Sequence, residues 1–260
     1  MKNIKKYIKK SLPKPMVTLL QRQKLKYWSN YNRNNLNKLA EIYSCDKWGK
    51  HFYTPHYTTH FKRFQKKNIN LLEIGIGGYD DPNIGGASLR MWKKYFRKGN
   101  IYGIDIHDKS LLEEKRIKTF QGSQTDSTFL YKIAEHIGKI DVIIDDGSHI
   151  NDDIIKTFNH LFPFLNKGGI YVVEDLQTSY WNWYGGNSED LNDSKTGVNY
   201  FKNLIHGLNH KEFLKEGYEP NYFDKHIISM HFYHNMVFIY KGDNIEESNH
   251  LINNQIPGYN

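Results

Sequence analysis

A chain of 260 residues with 38% apolar side chains, 25% charged ones and a formal net charge of +8 can bury a sizeable core as one large α/β domain or two small ones. Cys45 is its one cysteine, which excludes an internal disulfide and a thiolate metal cluster and fits a reducing, cytoplasmic setting. No run of about 18 apolar residues occurs, and Met16-Val-Thr-Leu-Leu20 is too short for the core of a signal peptide, so the sequence reads as soluble.

The positive charge is local. Residues 1–50 hold 13 Lys and Arg against two acids, Glu41 and Asp46, whereas the remaining residues hold 23 basic and 26 acidic side chains. A catalytic body that grips a phosphate backbone carries the positive charge itself, so this distribution argues against nucleic acid. The basic segment reads as a solvated helical face or as a contact for an acidic partner or an anionic membrane surface.

Taken in order, residues 1–45 form a basic helical extension, with Leu19, Leu20, Leu25, Leu36, Leu39 and Ile42 spaced for short amphipathic helices. Residues 46–61 gather histidines, aromatics and Pro55, a composition that suits a loop closing over a ligand or a packed lead-in to the first strand. Asn70-Leu-Leu-Glu-Ile-Gly-Ile-Gly-Gly-Tyr79 is an apolar strand running into glycines. Glycine there lets a ligand approach the backbone and lets the chain turn into the next helix, residues 88–96. A second strand, 100–106, places Asp105 at its carboxyl end, where an acid binds the ribose hydroxyls of an adenosine-type cofactor. A third strand, 117–124, ends in Ser123 and Gln124, with Asp126 close behind, small polar groups that suit the edge of an adenine ring.

A helix over 128–137 leads to Ile140-Asp-Val-Ile-Ile-Asp-Asp-Gly-Ser-His149, a buried strand that stops in two carboxylates and an imidazole. After a helix over 151–165, Gly169-Ile-Tyr-Val-Val-Glu-Asp-Leu176 repeats the pattern. Neighbouring strands thus offer Asp145, Asp146, Glu174 and Asp175 to one cleft, with His149 beside them: a divalent metal site next to a base. The aromatic run 176–186 suits a sugar or polyketide face, or packing on a neighbouring subunit. A helix over 198–214 and an antiparallel hairpin, 227–233 with 236–240, finish the sheet. The economical reading is α/β: a doubly wound, mostly parallel seven-stranded Rossmann-like sheet with an antiparallel C-terminal hairpin strand. Its domain spans 46–245, and 246–260 is a polar tail.

Glu73-Ile-Gly-Ile-Gly-Gly78 with Asp105 resembles the S-adenosylmethionine site of class I methyltransferases. The set Asp46-Lys-Trp-Gly, Tyr53-Thr-Pro, Leu89-Arg-Met-Trp, Tyr102-Gly-Ile-Asp-Ile, Ile144-Asp-Asp-Gly-Ser-His and Val173-Glu-Asp-Leu-Gln-Thr-Ser-Tyr-Trp is more particular. It resembles the metal-dependent sugar O-methyltransferases of macrolide tailoring, the mycinamicin and macrocin type, over residues 46–185. The resemblance implies S-adenosylmethionine held by Glu73, Gly75, Gly77, Asp105, Ser123 and Gln124, with Tyr53, Thr54 and Gln177 as further cofactor or substrate contacts. It implies Mg²⁺ (or Mn²⁺) on Asp146, Glu174 and Asp175, and His149 as the base. Asp145 is left to brace the loop or orient His149, because adjacent strand residues face opposite ways. The expected acceptor is a small-molecule sugar hydroxyl, nucleotide-linked or on a glycan or metabolite, and the protein is expected to be a homo-oligomer. Two rival readings are a metal-dependent hydroxylase or lyase with His149 on iron, and a nucleic-acid methyltransferase. The latter is weakened by the acidic body and by the lack of an Asp-Pro-Pro-Tyr type motif.

Overall fold

The computed structural model describes residues 14–251, with side chains from residue 19 onward. Of the expected basic extension and polar tail, residues 1–13 and 252–260 lie outside the described residues. The chain divides into two compact units, one of residues up to 68 plus 87–98 and one of 69–86 plus 99–260. That division does not coincide with the 45/46 boundary read from the sequence.

The first unit is helical: α1 (Lys14–Tyr31), α2 (Leu36–Tyr43), α3 (Thr54–Phe61) and α4 (Ala87–Tyr95). Asn35 caps α2 by accepting from the Lys38 N–H, and Ser44 ends it in a left-handed turn. Of the two readings of 46–61, a ligand-closing loop or a packed lead-in, helix α3 accords with packing over 54–61. Pro55 sits in its first turn, and Tyr57, His60 and Phe61 fall on one buried face, the helical spacing that the loop-like composition concealed. The Tyr57 ring lies 4.8 Å from that of Phe61 and 4.9 Å from that of Trp92 on α4.

The second unit holds the sheet. The apolar runs form β1 (Asn70–Ile74), β2 (Asn100–Asp105), β3 (Ile117–Gln121), β4 (Ile140–Asp145), β5 (Leu165–Val173), β6 (Ile227–Tyr233) and β7 (Met236–Lys241). Their order is β3-β2-β1-β4-β5-β7-β6. Neighbours from β3 to β5 pair in parallel, while β7 runs antiparallel to both β5 and β6. This is the seven-stranded, mostly parallel α/β sheet with an antiparallel C-terminal hairpin expected from the sequence. The crossover helices are α5 (Ser127–Ile137), capped by Asp126, and α6 (Asn151–Leu161), followed by α7 (Gly197–Leu208) and the short α8 (Tyr222–His226). Strand β5 starts at Leu165, so it includes Asn166-Lys-Gly-Gly169 ahead of the apolar run.

Phe158 on α6 centres the core, with ring centroids 5.0 Å from Phe162 and Tyr171 and 5.1 Å from Phe201. Trimming such a ring to alanine costs about 3–5 kcal/mol. Lys241 at the end of β7 is also buried, and its Nζ donates to the carbonyls of Phe162 (3.2 Å) and Pro163 (2.6 Å) as a cap for the α6 terminus. Burial, and secondarily the nearby Lys167, push its ammonium down to about 8.

Candidate active site

The strand register lines up the chemistry. Ile74 pairs with Ile104 on one side and Asp145 on the other, and Asp145 pairs with Val173. The residues that follow, Gly75, Asp105, Asp146 and Glu174, therefore end the strands in one row. The row straddles the β1/β4 boundary, where the winding reverses and where ligands of doubly wound sheets bind.

Gly75, Gly77 and Gly78 all have positive φ, at 85°, 76° and 85°. At Gly75 a Cβ would meet the Asp146 carbonyl oxygen at 2.0 Å, so this glycine lets the β1 and β4 turns touch. At Gly77 nothing lies within 4 Å of the added carbon, and the backbone there is open to a visitor. The Asp105 carboxylate accepts from the Ile76 N–H (2.9 Å) and the His107 N–H (2.9 Å). Each oxygen keeps a further acceptor site, so the group is fixed against the glycine turn yet able to take hydroxyls. Lys109, 1% exposed, closes the same loop by donating to the carbonyls of Asp81 (2.8 Å) and Ile84 (3.1 Å).

Across the row, Asp146, His149 and Asp175 offer ligand atoms that all lie within 4.8 Å of one another. His149 Nε2 is 3.6 Å from Asp175 Oδ2 and 4.0 Å from Asp146 Oδ1, an ion-pair spacing that leaves the nitrogen outside hydrogen-bond contact with both. His149 and Asp175 have φ of 59° and 55°. A non-glycine residue pays roughly 1–2 kcal/mol for that left-handed backbone, and such outliers gather at functional sites. Glu174 is outside the three-residue group. It is buried at 2% exposure, and its N–H donates to the Asp145 carbonyl at 2.9 Å.

Asp145 is turned inward, at 2% exposure. Its Oδ1 accepts from the Gln124 amide at 3.4 Å, and the Tyr171 hydroxyl feels its charge without reaching hydrogen-bond geometry. Burial pushes the Asp145 carboxyl up to about 7; Asp146 and Asp153 add to the shift, while the Gly147 N–H and Gln124 oppose it. Gln124, 8% exposed, also donates to Thr157 (3.0 Å) and accepts from the Ser148 N–H (2.7 Å). Its side chain thus braces the loop that carries His149. Ser123 shares a hydrogen bond with Thr125 (2.9 Å) in the turn before α5. Glu73 is fully buried on β1.

The aromatic run after β5 is a closed loop. Thr178 donates its N–H and its hydroxyl to the Asp175 carbonyl (both 3.1 Å), and Trp181 N–H donates to the Thr178 carbonyl (3.1 Å). Asn151, 1% exposed, ties the loop to the start of α6. Its amide donates to the carbonyls of Thr178 (3.1 Å) and Tyr184 (2.9 Å), and its oxygen accepts from the Ser179 hydroxyl (3.1 Å) and the Gly197 N–H (2.7 Å). From the far side, the Leu176 N–H donates to the carbonyl of Asn235, in the β6–β7 turn, at 2.9 Å.

The structure therefore brings Asp146, His149 and Asp175 together at the strand ends beside the glycine turn and Asp105. It places Asp145 and the Gln124 side chain underneath, and Gln177 on the aromatic loop. Tyr53 and Thr54 belong to the helical unit, where both are buried: Thr54 Oγ1 donates to Asn37 at 2.8 Å and the Tyr53 ring stacks on His51. Asn151 and Lys109 escaped the sequence reading. Asparagine opening a helix reads as an exposed cap, and no local pattern marks a lysine spent on loop carbonyls.

No family model matches the chain. Among curated proteins it is 46% identical over 214 residues to a demethylmacrocin O-methyltransferase of Streptomyces fradiae and 44% identical over 214 residues to a mycinamicin VI 2''-O-methyltransferase of Micromonospora griseorubida, each match covering 82% of this chain and 54% of the relative. It is 47% identical over 207 residues to an 8-demethyl-8-alpha-L-rhamnosyl tetracenomycin-C 2'-O-methyltransferase of Streptomyces olivaceus, covering 79% of this chain and 54% of that protein. Among solved structures, the MycE methyltransferase of the mycinamycin biosynthetic pathway, in complex with Mg and SAH, aligns with a TM-score of 0.80 at 44% identity, over 82% of this chain and 56% of that one. The chain spans about half the length of the curated relatives it matches.

Proposed function

We propose, from the premise that this chain belongs with the mycinamicin and macrocin type of sugar O-methyltransferases, that it transfers a methyl group from S-adenosylmethionine to a hydroxyl of a sugar. The observation that carries the reading is the single row of strand ends in which the glycine turn and Asp105 stand beside Asp146, His149 and Asp175.

The residues present fit both groups that such a reaction needs. The open backbone at Gly77 accepts a ligand where a side chain would intrude, and Asp105 has acceptor capacity for a ribose diol. Asp146 and Asp175 are hard oxygen donors suited to Mg²⁺ or Mn²⁺ rather than zinc, and Glu174, next to Asp175 in sequence, is the carboxylate proposed to complete the set. A metal held by these carboxylates would supply Lewis acidity, lowering the pKa of the acceptor hydroxyl. His149 Nε2 takes the hydroxyl proton as the oxygen attacks the methyl carbon; the C–S bond breaks, and its electron pair stays on sulfur. Asp145 and Gln124 hold the loop beneath His149 and touch no reacting atom.

The test combines the protein, S-adenosylmethionine and Mg²⁺ with a panel of rhamnosides, other methyl glycosides and nucleotide sugars, watching for a one-methyl mass gain. Methylation as fast after EDTA treatment as with Mg²⁺ would remove the metal from the reading. Oxygen consumption without methyl transfer would favour the hydroxylase, and labelled RNA retained on filters the nucleic-acid enzyme.

The same proposal covers partners and location. Helix α1 is exposed throughout 19–28, and no acid precedes Glu41. With Trp28, Tyr27 and Leu20 at the surface it suits an anionic membrane surface or an acidic partner. Co-sedimentation with anionic and with neutral vesicles tests this, and light scattering tests the homo-oligomer. Among the described residues no helix is long and apolar enough to cross a membrane. A single cysteine, Cys45, accords with a reducing, cytoplasmic location.

A further inference from the structure

Trp181 and Trp183 are 40% and 76% exposed, and their rings lie 5.8 Å apart at 26°, an offset, near-parallel pair. Indoles this exposed forfeit burial worth a few kcal/mol each, so a surface loop has no folding reason to keep two of them side by side. Nor is the loop slack. Gly186 N–H closes it on the Trp181 carbonyl at 2.9 Å, and a Cβ on Gly186 would meet the Thr178 carbonyl oxygen at 2.3 Å. Asn151 fixes it through three hydrogen bonds, to Thr178, Ser179 and Tyr184.

The direction of this bracing is informative. A continuous path of hydrogen bonds runs from the Asp175 carbonyl through Thr178 to Trp181. The five-residue 3₁₀ turn between them, at about 2 Å per residue, keeps Trp181 within roughly 12 Å of Asp175 along the chain. Asn151, the other anchor, is two residues from His149. The loop that bears the indole pair is therefore tied at one end to Asp175 and through Asn151 to the segment that carries His149.

We infer that Trp181 and Trp183 form a stacking shelf for the C–H face of a pyranose ring on the acceptor, with Asn151 as the positioning residue that sets the shelf relative to His149 and Asp175. This rests on the sugar-acceptor reading above. A flat π face binds the apolar side of a sugar without reading its hydroxyl pattern, so the shelf holds the ring while other groups select the position.

The probe is methyl α-L-rhamnopyranoside from the panel, with binding read by saturation-transfer NMR on the S-adenosylmethionine-bound protein, independently of turnover. Trp183→Ala should weaken binding about tenfold, Trp181→Ala by a similar factor, and Trp183→Phe should restore it to within about twofold. In the turnover assay Trp183→Ala should raise the acceptor KM about tenfold and leave kcat and S-adenosylmethionine affinity within about twofold. Because Trp183 is 76% exposed, its loss does not empty the core. Equal affinity in wild type and both alanine variants would overturn the shelf, as would no saturation of the glycoside by wild-type protein. A Trp183→Ala change that alters the oligomer mass and not glycoside affinity would overturn it too. Glycoside binding that depends on both tryptophans but yields no methylated product would support the shelf while refuting the methyl-transfer reading.

Discussion

Replacing Asn151 by aspartate is an almost isosteric change whose cost can be worked out atom by atom. The acceptor oxygen is retained, so the Ser179 hydroxyl and the Gly197 N–H keep their partner. The amide nitrogen becomes a carboxylate oxygen facing two carbonyls: that of Tyr184 loses its donor, and that of Thr178 keeps only the Trp181 N–H. Each buried acceptor left without a partner costs about 1–3 kcal/mol, and a side chain at 1% exposure gives the new charge little solvent. We expect about 3–5 kcal/mol of destabilisation at pH 8, a large part of a typical folding free energy. At about 2 °C per kcal/mol for a chain of this size, the melting temperature should fall by roughly 6–10 °C. The pH dependence has a definite sign. Burial and the two carbonyls raise the new carboxyl's pKa in the fold above its unfolded value, and the neutral acid can donate one hydrogen bond. The deficit should therefore shrink as pH falls from 8 towards 5. Melting curves of wild type and Asn151→Asp across that range test the reasoning. A difference below about 2 °C, or one that stays constant with pH, would refute this account of the Asn151 hydrogen bonds.

Three further outcomes are expected. His149→Ala should lower kcat by about 10²–10⁴-fold with S-adenosylmethionine affinity within about twofold of wild type by calorimetry; near wild-type turnover would end the base assignment. Gly75→Ala should cost more than about 2 kcal/mol, because its Cβ would press on the Asp146 carbonyl at 2.0 Å. At Gly77, where nothing lies within 4 Å, alanine should cost about 1 kcal/mol yet still weaken S-adenosylmethionine binding, and the two can be ranked by denaturant melts and titration. Lys241 has a folded pKa of about 8 against an ordinary 10.5, so the fold binds its proton less tightly than the unfolded chain does. Its stability contribution is full above pH 10.5 and is lost as pH falls through 8. Wild type should thus gain on Lys241→Met by up to about 3 kcal/mol between pH 7 and 10, and parallel stability curves would contradict this.

The sheet was legible because β1, β4 and β5 are apolar runs that end abruptly in glycine or carboxylate, and the same abruptness exposed Asp105, Asp146 and Asp175. What stayed hidden depends on contacts between distant segments. Nothing local tells Asn151 from a helix cap, because its partners lie between 27 and 46 residues away. The reach of the Gln124 amide to Asp145 and Thr157, 21 and 33 residues away, has no local signal either. Helix α3 was masked by histidines and hydroxyls whose buried face only packing reveals. Glu174 and Asp175 were indistinguishable as neighbours in sequence, and the left-handed turn at Asp175 separates them.

The antiparallel strand β7 sets an order of events. During synthesis the chain emits β4, β5 and the aromatic loop well before residues 236–241, so β5 waits with one edge unpaired. The Asn235 carbonyl that holds Leu176 also arrives late. The five parallel strands can assemble first, but the segment bearing Asp175 and the tryptophans gains its second anchor only when the hairpin closes. A nascent chain interrupted before residue 235 would carry every candidate ligand and still lack a settled site, which links competence to completion of the sheet.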